Sequence, residues 1–523
     1  MSDPSHHRYG QHLSKVEVEN LIKPSKDTSA LVTEWLQDNG IDSSNCEFSP
    51  ARDWVTVALP VAHIERLLET EYSTYKHDDG DVLVRTTAWS LPVHLHEHIS
   101  TIQPTTAFLR ASPKLNTAMG VPGNFEVSTA LPANDTGISA VCNFSAVTTT
   151  CLRTLYNTIN YEPQVPGQSQ IGFNNFLGQV ANRSDTSIFL SMFRPEAVGD
   201  AYDFTDVSIA GGPIDNGTNG AGAEANLDVE TITGLTWPIP VTSYSTGGSP
   251  PFQADLNTPT NTNEPYLTWL NYVLGQSSVP QVISTSYGDD EQTVPYSYAS
   301  TVCNSIAQLG ARGVSVLFSS GDFGVGANGT CLSNDGKNTS MFLPVFPASC
   351  PYVTAVGGTY RFPEEVAYDP RNGYASGSGF SNYFPTPEYQ KCVVEDYISE
   401  LNGQYDGFYN KSGRAYPDVS AQSFHYLTIY GGKILPLDGT SCSCPTTSSI
   451  VSLVNDALLA AGKSPLGWLN PWLYTNGSAG FNDVVAGTSI GCNVAGFEAK
   501  PGWDVPSGWG TPDFTAILKS LGL

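Results

Sequence analysis

Short apolar runs alternate with longer helical patterns along most of the chain beyond residue 150. Four runs have the length and aliphatic composition of buried strands, and they occupy residues 170–173, 282–284, 314–318 and 353–356. Apolar residues at helical spacing stand out at residues 298–309 and 450–461. Short apolar strands separated by helices predict a mostly parallel sheet with helices on both faces. In such folds the active site lies at the carboxyl ends of the strands.

The first 110 residues follow a different pattern, in which helices and short strands are mixed. The predicted helices are residues 16–21, 28–38 and 61–70, and the predicted strands are residues 54–58 and 82–84. The next 40 residues are rich in Ser, Thr, Pro, Asn and Gly with little periodicity, which is typical of a linker. The sequence therefore predicts a small α/β domain at residues 1–110, a linker at 111–150 and a larger α/β domain at 151–523.

Composition narrows the range of partners. The chain has 523 residues, of which 40% are hydrophobic and 14% are charged, and 50 acidic against 24 basic residues give a net charge of −26. A surface this acidic repels phosphate backbones and anionic lipid, so we expect neither nucleic acid nor a membrane as a partner. No apolar run is long enough to span a bilayer. The strong net charge also favours a monomer.

Cysteines and glycosylation sequons point to a secreted protein. The ten cysteines lack the paired spacing of a zinc site, so they predict disulfides and an oxidising compartment, with free buried thiols in a cytosolic protein as the alternative. Cys142 and Cys151 are close enough in sequence to close a small loop. The eight sequons lie at Asn134, Asn143, Asn182, Asn216, Asn328, Asn338, Asn410 and Asn476. We expect a secreted glycoprotein whose signal peptide and true start are missing from this chain, which begins with polar residues.

The positions of the histidines argue against two common kinds of hydrolase. A Ser-His-Asp hydrolase and a His-ligated zinc enzyme both need well-placed imidazoles, and after residue 110 only His425 remains. His94, His96 and His98 alternate with other residues, which would place three imidazoles on one face of a strand. That pattern fits either a metal site or a solvated edge of an accessory domain.

A serine enzyme without histidine needs another base, and a carboxylate fills that role at acidic pH. Glu224 and Asp228 are four residues apart, so on a helix they would face the same side. Repulsion between their charges would raise the pKa of one of them. They are a candidate base and its orienting partner, or else a solvated acidic face.

Two further candidates lie next to apolar segments. Asp322 follows the run at residues 314–318, where a protonated carboxyl could donate a hydrogen bond to an oxyanion, or where the residue simply forms an Asx turn. Ser441 ends the sequence Gly439-Thr440-Ser441, in a turn before the helical pattern at 450–461. Its hydroxyl would lie near the positive end of the helix dipole, as a nucleophile or as an ordinary helix cap.

A fourth pattern lies near the C-terminus. Asp483 and Asp504 stand in short segments that expose main-chain carbonyls, at residues 482–485 and 500–504. Carboxylate and carbonyl oxygens are hard ligands that suit calcium.

Taken together and in this order, the patterns resemble the sedolisin family of serine-carboxyl peptidases, and most closely its secreted fungal tripeptidyl-peptidases. The matching motifs are Glu-x-x-x-Asp at 224–228, Ser-Gly-Asp at 320–322, Gly-Thr-Ser at 439–441, and residues 286–289, 346–349, 356–359, 379–384, 416–419 and 502–504. Residues 9–13 and 102–105 match the activation propeptide of the family. The resemblance therefore covers both predicted domains.

The resemblance implies a subtilisin-like fold, with a mostly parallel sheet flanked by helices and preceded by an α/β propeptide. Such a propeptide assists folding and inhibits its own enzyme until acid triggers its removal, here within residues 111–150. The resemblance also implies that Ser441 is the nucleophile, Glu224 the general base, Asp228 the residue that orients it, and Asp322 part of the oxyanion hole.

One structural calcium ion is implied as well. Its ligands would be the carboxylates of Asp483 and Asp504 and the main-chain carbonyls of Val484, Lys500 and Gly502. Lys500 stands where a glycine is common in the family, but only its carbonyl is needed.

The resemblance favours an acid peptidase that acts through an acyl-enzyme and releases tripeptides from free N-termini of peptides and proteins. The alternatives are an endopeptidase of the same family and a catalytically inactive relative that binds peptides. Cys442 and Cys444 follow the nucleophile where the family usually has small residues such as alanine. We expect these cysteines to tighten the pocket, to form a disulfide, or to mark divergence of this chain from the family.

Overall fold

The computed structural model describes residues 1–76, 82–106, 118–122, 137–200, 203–217 and 222–523. The N-terminal part mixes helices and antiparallel strand pairs around a core of Leu36, Ile41, Leu67 and Leu68. Its elements are α1 (Lys15–Ile22), α2 (Lys26–Asp38), β1 (Cys46–Phe48), β2 (Val55–Val57), α3 (Val61–Leu67), β3 (Ser73–Lys76) and β4 (Val82–Arg85). The predicted α/β character of this part is confirmed, although α3 ends three residues before the predicted helix.

The histidine cluster does not form a strand, so that prediction is wrong. Val93–Leu95 is a short 3₁₀ helix that follows Pro92, and Leu95 is completely buried. The ring of His98 bonds through Nδ1 to Thr28 Oγ1 at 2.9 Å, and that of His96 bonds through Nε2 to the carbonyl of Leu91 at 3.0 Å. Packing of the leucine, rather than alternation of the histidines, decides the conformation.

The described residues of the predicted linker contain two short elements and the start of a third. They are β5 (Met119–Gly120), α4 (Ile138–Val141) and α5 (Thr149–Leu155). Cys142 and Cys151 form a disulfide, which confirms the expected small loop. Residues 111–117 and 123–136 of the linker, including the sequon at Asn134, lie outside the described residues.

A twisted sheet of eight strands organises the larger domain. Its strands are β6 (Ile171–Asn175), β7 (Thr205–Ile209), β8 (Val241–Thr246), β9 (Val282–Thr285), β11 (Ser315–Ser319), β13 (Thr354–Tyr360), β14 (Glu365–Val366) and β19 (Val419–Gln422). The order is β14-β13-β11-β9-β6-β8-β7, and β19 also pairs with β13. Every pairing is parallel except that of β13 with β14. The four apolar runs predicted as strands are all in this sheet.

Short antiparallel pairs surround the sheet. They are β10 (Asp289–Asp290) with β12 (Val345–Phe346), β15 (Tyr368–Asp369) with β16 (Tyr374–Ala375), β17 (Gly379–Pro385) with β18 (Gly413–Tyr416), β20 (Tyr426–Tyr430) with β21 (Lys433–Asp438), and β22 (Phe481–Asn482) with β23 (Thr511–Pro512).

Helices cover both faces of the sheet because its strands alternate their apolar side chains between two cores. Val282 and Leu317 point to one core, which α7 (Ala223–Thr236) and α11 (Thr440–Ala460) complete. Ile283 and Val316 point to the other, against α8 (Tyr266–Gly275) and α9 (Tyr296–Ala311). The remaining helices are α6 (Arg183–Phe193), α10 (Lys391–Glu400), α12 (Asn470–Thr475) and α13 (Phe514–Ser520). None of the described helices is long and apolar enough to cross a membrane.

Helix α11 begins ten residues before the predicted start at 450, so the turn predicted around Ser441 is in fact the first turn of a helix. Pro445 lies inside this helix and lacks the N–H that would bond to the carbonyl of Ser441. The hydroxyl oxygen of Ser286 lies 3.4 Å from that carbonyl oxygen. A tertiary contact therefore stabilises a helical turn that the proline alone argues against.

The N-terminal segment docks on the larger domain beside α9. The amide of Leu13 donates to the carbonyl of Ala311 at 2.8 Å, and Nε2 of His12 bonds to the carbonyl of Pro465 at 2.8 Å. The imidazole packs so closely that a Cβ on Gly313 would lie 2.7 Å from it and one on Gly467 2.6 Å. Burial lowers the pKa of His12 from its ordinary value of 6.5.

We predict that this docking weakens as the pH falls below about 6.5, because the undocked imidazole binds a proton that the docked one resists. Hydrogen exchange at Leu13, corrected for its intrinsic rate, should therefore speed up between pH 7 and pH 5 in a Ser441→Ala chain. His12→Gln, which keeps a donor without a titrating ring, should flatten this dependence. His7→Gln changes an exposed histidine and should leave the pH dependence in place. Equal pH dependence in both variants would contradict the prediction.

Candidate active site

Glu224 and Asp228, the predicted base and its orienting partner, lie one helical turn apart at the start of α7. Glu224 is 2% exposed and Asp228 is completely buried. Burial follows from the position of α7, which packs against α11 and the sheet with all residues from Glu224 to Thr236 buried. The pair is therefore not a solvated acidic face.

Ser441 is the second residue of α11, and its hydroxyl hydrogen-bonds to the carboxyl of Glu224. Its Oγ also lies 3.4 Å from the carbonyl oxygen of Ser286, directly after β9. The hydroxyl of Ser286 donates to Oδ1 of Asp228 at 2.7 Å. The N-termini of α7 and α11 thus meet at the carboxyl end of β9, as expected for a parallel sheet.

Burial decides the protonation of the acidic pair. It raises the pKa of Glu224 well above 4.5, and the charge of Asp228 raises this pKa further, against the hydrogen bonds from Ala118 and Ser441. Burial also raises the pKa of Asp228 well above 3.8, against the bond from Ser286. Because two adjacent negative charges are costly in a low-dielectric space, the pair retains a proton far above the usual range of carboxylic acids.

Asp322 lies beside Thr440, just beyond the carboxyl end of β11. Its Oδ1 accepts hydrogen bonds from the amide and the hydroxyl of Thr440, at 2.8 and 2.9 Å. Burial raises its pKa to about 7, although both bonds from Thr440 lower it. At acidic pH the side chain is therefore a neutral acid beside the nucleophile, not merely the cap of an Asx turn.

Gly439 allows these groups to come close together. Its φ is +151°, and a Cβ there would lie 3.2 Å from Oδ2 of Asp322 and 3.2 Å from Cα of Ala118. Both distances are tighter than ordinary contacts of a Cβ, so a larger residue would push Asp322 and Ala118 apart.

Three contributors were not predicted from the sequence. Ser286 and Thr440 stand in motifs recognised there, but neither had a role until the fold placed them against Asp228 and Asp322. The third is Ala118, whose amide donates to Oε2 of Glu224 at 2.5 Å. No sequence signal marks this alanine, which lies in a linker without periodicity.

The five predicted calcium ligands come together at the ends of two loops. The amide of Gly502 donates to Asp483 Oδ2 at 2.7 Å, and the amide of Lys500 donates to Asp504 Oδ2 at 2.7 Å. Ser507 donates to Oδ1 of Asp504 and also lies 3.4 Å from the carbonyl of Val484. Burial, with a smaller effect from the charge of Asp483, raises the pKa of Asp504 to about 7.

This donor set fits a hard divalent cation. It offers two carboxylates and nearby main-chain carbonyls, and a cation would neutralise the buried charge of Asp504. The ammonium of Lys500 is directed elsewhere, 3.4 Å from Glu400 and over the ring of Tyr397. Only its main chain faces the two aspartates.

The sequence of this chain is similar to curated fungal peptidases over its whole length. It is 40% identical over 542 residues to tripeptidyl-peptidase SED2 of Arthroderma otae (strain ATCC MYA-4605 / CBS 113480), covering 100% of this chain and 88% of that protein. It is 39% identical over 541 residues, with the same coverage, to a probable tripeptidyl-peptidase SED2 of Arthroderma benhamiae (strain ATCC MYA-4681 / CBS 112371). Residues 1–108 match the Pro-kumamolisin activation domain.

The chain belongs to the sedolisin family of serine-carboxyl peptidases. Its fold is similar to that of a Pseudomonas sedolisin, a serine-carboxyl proteinase complexed with two molecules of pseudo-iodotyrostatin. The TM-score is 0.52 at 21% identity, over 72% of this chain and 99% of that one. The predicted family, fold and class of enzyme are confirmed, while the exact boundaries at 110 and 150 stay predictions.

A second acidic cluster in this sedolisin does not need a metal. Ligand atoms of Asp369, His425 and Asp438 lie within 4.8 Å of one another. The guanidinium of Arg371 already donates two bonds to Asp369, at 3.0 and 2.6 Å, and contacts the ring of His425. The cluster therefore contains its own cation.

All ten cysteines lie in the described part of the chain, and six form disulfides: Cys142–Cys151, Cys303–Cys350 and Cys331–Cys492. Cys442 and Cys444, beside the nucleophile, are unpaired and completely buried. Burial raises the pKa of the Cys444 thiol to about 12. These cysteines therefore pack as small apolar residues beside the nucleophile.

We predict that Thr440→Val extends the activity of this sedolisin to higher pH. The variant loses a hydroxyl whose hydrogen bond lowers the pKa of Asp322, so this carboxyl should stay protonated to a higher pH than about 7. The alkaline limb of the pH–rate profile should then move upward. Thr440→Ser keeps the hydroxyl and should leave the limb in place. A limb that moves downward, or equally in both variants, would rule out this role of Thr440.

Proposed function

We propose that the chain is the zymogen of an acid-active peptidase that works through an acyl-enzyme on Ser441. The observation that carries the proposal is the hydrogen bond between Ser441 and the buried carboxyl of Glu224, at a site where no imidazole contacts either group among the described residues. In this mechanism Asp228 holds the proton that the pair retains, so Glu224 is ionised and acts as a base at acidic pH, where imidazole would already be protonated.

We assign one group to each step of the reaction. Ser441 Oγ attacks the scissile carbonyl carbon while its proton passes to Glu224, which Asp228 orients and polarises. The oxyanion accepts a hydrogen bond from protonated Asp322. When the carbon–nitrogen bond breaks, Glu224 gives the proton to the leaving amine. Water then attacks the ester by the same route and frees Ser441.

We assign residues 1–110 to an inhibitory activation domain, which is removed by a cut within 111–150. The match of residues 1–108 to an activation domain supports this division. We infer secretion from the disulfides and the sequons. We expect the mature enzyme to be a monomer.

We further propose that the enzyme removes tripeptides from free N-termini, as the names of its relatives suggest. Such an enzyme must bind a substrate ammonium at a fixed distance from the cut. Asp289 and Asp290 line a small cavity with Phe323 and Gly324, directly after Asp322. Burial raises the pKa of Asp290, and the charge of Asp289 raises it further. A substrate ammonium beside these carboxyls would favour their charged forms and so lower the cost of burying their charge.

The test is hydrolysis of a tripeptide–coumarin amide from about pH 3 to 8 after acid activation. Activity should be highest in acid and fall as the pH rises through about 7, because Asp322 loses its proton there. Ser441→Ala and Glu224→Gln should each lower kcat roughly a thousandfold or more. Unchanged activity in either variant would refute the mechanism.

The same substrate with an acetylated amino group measures the ammonium contact. Loss of a charge-assisted hydrogen bond, worth about 1.5–3 kcal/mol, should lower kcat/KM roughly ten- to hundredfold. Asp290→Asn should reduce this discrimination, whereas Asp396→Asn, on the exposed side of α10, should not. Cleavage of denatured protein without cleavage of the tripeptide amide would instead indicate an endopeptidase. Silence on both would indicate an inactive relative.

We also propose that Asp483, Val484, Lys500, Gly502 and Asp504 hold one structural Ca²⁺. The ion would tie the loop after β22 to residues 500–504, and no catalytic step involves it. Chelation should therefore act on stability.

Removing calcium with EDTA should lower the melting temperature by about 5 °C or more relative to calcium at a hundredfold excess over its Kd. Asp504→Asn should abolish the response to calcium. Lys500→Ala keeps the main-chain carbonyl and should retain it. A calcium response that persists in Asp504→Asn would place the ion elsewhere.

A further inference from the structure

Ser286 lies against the buried end of the catalytic carboxyl pair. It follows β9 directly and is completely buried. Its hydroxyl donates to Oδ1 of Asp228 at 2.7 Å, and this is the one hydrogen bond that the carboxyl receives from the described residues. Its main-chain carbonyl oxygen lies 3.4 Å from Oγ of Ser441. Ser286 therefore contacts both the partner of the base and the nucleophile.

Each carboxyl of the pair has one oxygen left over. Oε2 of Glu224 accepts from the amide of Ala118, whereas Oε1 is buried and has no hydrogen-bond partner among the described residues. Oδ2 of Asp228 is buried without a partner in the same way. Carboxyls four residues apart on a helix are neighbours, and buried oxygens without a partner are costly. A single retained proton satisfies both oxygens if Asp228 holds it on Oδ2.

The hydroxyl of Ser286 favours this position of the proton. Because it donates to Oδ1, that oxygen is an acceptor, and the proton of the neutral acid belongs on Oδ2. The bond also restrains the last torsion of the Asp228 side chain, which is broad for a carboxyl without a partner. The two oxygens of Asp228 therefore have different roles, one facing Ser286 and the other carrying the proton.

We propose that Ser286 is a positioning residue that keeps the retained proton on Oδ2 of Asp228, directed to Glu224. This inference rests on the proposed serine-carboxyl mechanism, in which Glu224 must be ionised to take the proton of Ser441. A hydrogen bond from Asp228 stabilises that ionised form. The side chain of Ser286 acts on the reaction only through Asp228.

The other titratable groups around the pair are neutral in acid. The charge of Asp322 acts on Glu224, but the pKa of Asp322 is about 7. Burial raises the pKa of Tyr287 well above 10, that of Cys442 well above 9 and that of Cys444 to about 12. Since these neighbours carry no charge in acid, the acidic limb of the pH–rate profile reports the protonation of the pair itself.

The test is the pH profile of kcat/KM from about pH 2 to 8, measured with a tripeptide–coumarin amide after removal of the activation domain. Ser286→Ala removes a hydrogen bond that lowers the pKa of Asp228 and favours the charged form of the pair. The acidic limb should therefore move upward by about one pH unit, which is about a tenfold loss of kcat/KM on the acidic side. The alkaline limb, which Asp322 sets, should stay in place.

Two further variants separate a positioning role from a structural one. Ser286→Cys keeps a weaker donor of similar size and should move the acidic limb less than Ser286→Ala does. Ser284→Ala removes another buried hydroxyl, which contacts Cys444 rather than the pair, and should leave both limbs in place. A loss of stability alone would lower activity at every pH without moving a limb.

A double-mutant cycle tests the route through Asp228. In an Asp228→Asn background there is no carboxyl proton to position, so adding Ser286→Ala should change kcat by less than about twofold. If the losses in the two single variants multiply instead, Ser286 acts through another group and the inference is overturned.

The remaining outcomes distinguish this inference from the proposed function. If wild type is active but its acidic limb is unchanged in the Ser286 variants, the role of Ser286 is refuted and the mechanism stands. Ser286→Cys alone decides this point if Ser286→Ala does not fold. If the folded wild-type chain cleaves neither the tripeptide amide nor denatured protein, the proposed function is refuted and the inference fails with it.

Discussion

Burial of acidic side chains is the constraint on which this structure depends. Glu224, Asp228 and Asp322 lie within reach of one another's charge at the start of α7 and α11, and the charges of the two aspartates both raise the pKa of Glu224. Several negative charges so close together inside the protein are costly, and the protons that these groups retain lower that cost. For Asp322, the folded pKa of about 7 exceeds the ordinary 3.8, so its contribution to stability is complete below about pH 4 and is lost as the pH rises through about 7. Stability and chemistry therefore favour the same acidic range.

The sheet and the helices α7 and α11 position these acidic side chains around Ser441. Parallel strands bring the segments after β9 and β11 to one edge, and the close packing of α7 on α11 brings Glu224 against Ser441. The hydroxyl of Ser286 contacts both helices, because it donates to Asp228 and also lies 3.4 Å from the carbonyl of Ser441, to which Pro445 cannot donate. The nucleophile thus sits on rigid elements rather than on a flexible loop.

The linker is in direct contact with the catalytic site. Ala118 bonds to the base, and β5 joins the strand pair that leads into the nucleophile. Farther along the chain, Val147 forms main-chain hydrogen bonds with β20 and its preceding residue, and the Cys142–Cys151 disulfide lies beside this contact. The segment that blocks the cleft is therefore anchored downstream on the larger domain. The activation domain has a separate contact through His12.

The sequence by itself determined four of the eight strands of the sheet, five of the thirteen described α-helices and the four catalytic candidates, because apolar periodicity and the order of the motifs are local properties of the chain. It was wrong where packing outweighs local pattern: the burial of Leu95 turns the histidine segment into a 3₁₀ helix, and Ser286 supports the helix that Pro445 argues against. Only the tertiary structure decided that the acidic pair is buried, that Thr440 holds Asp322, and that Ala118 reaches Glu224. These contacts join residues far apart in sequence, and their strength depends on exclusion of water, which local sequence patterns do not encode.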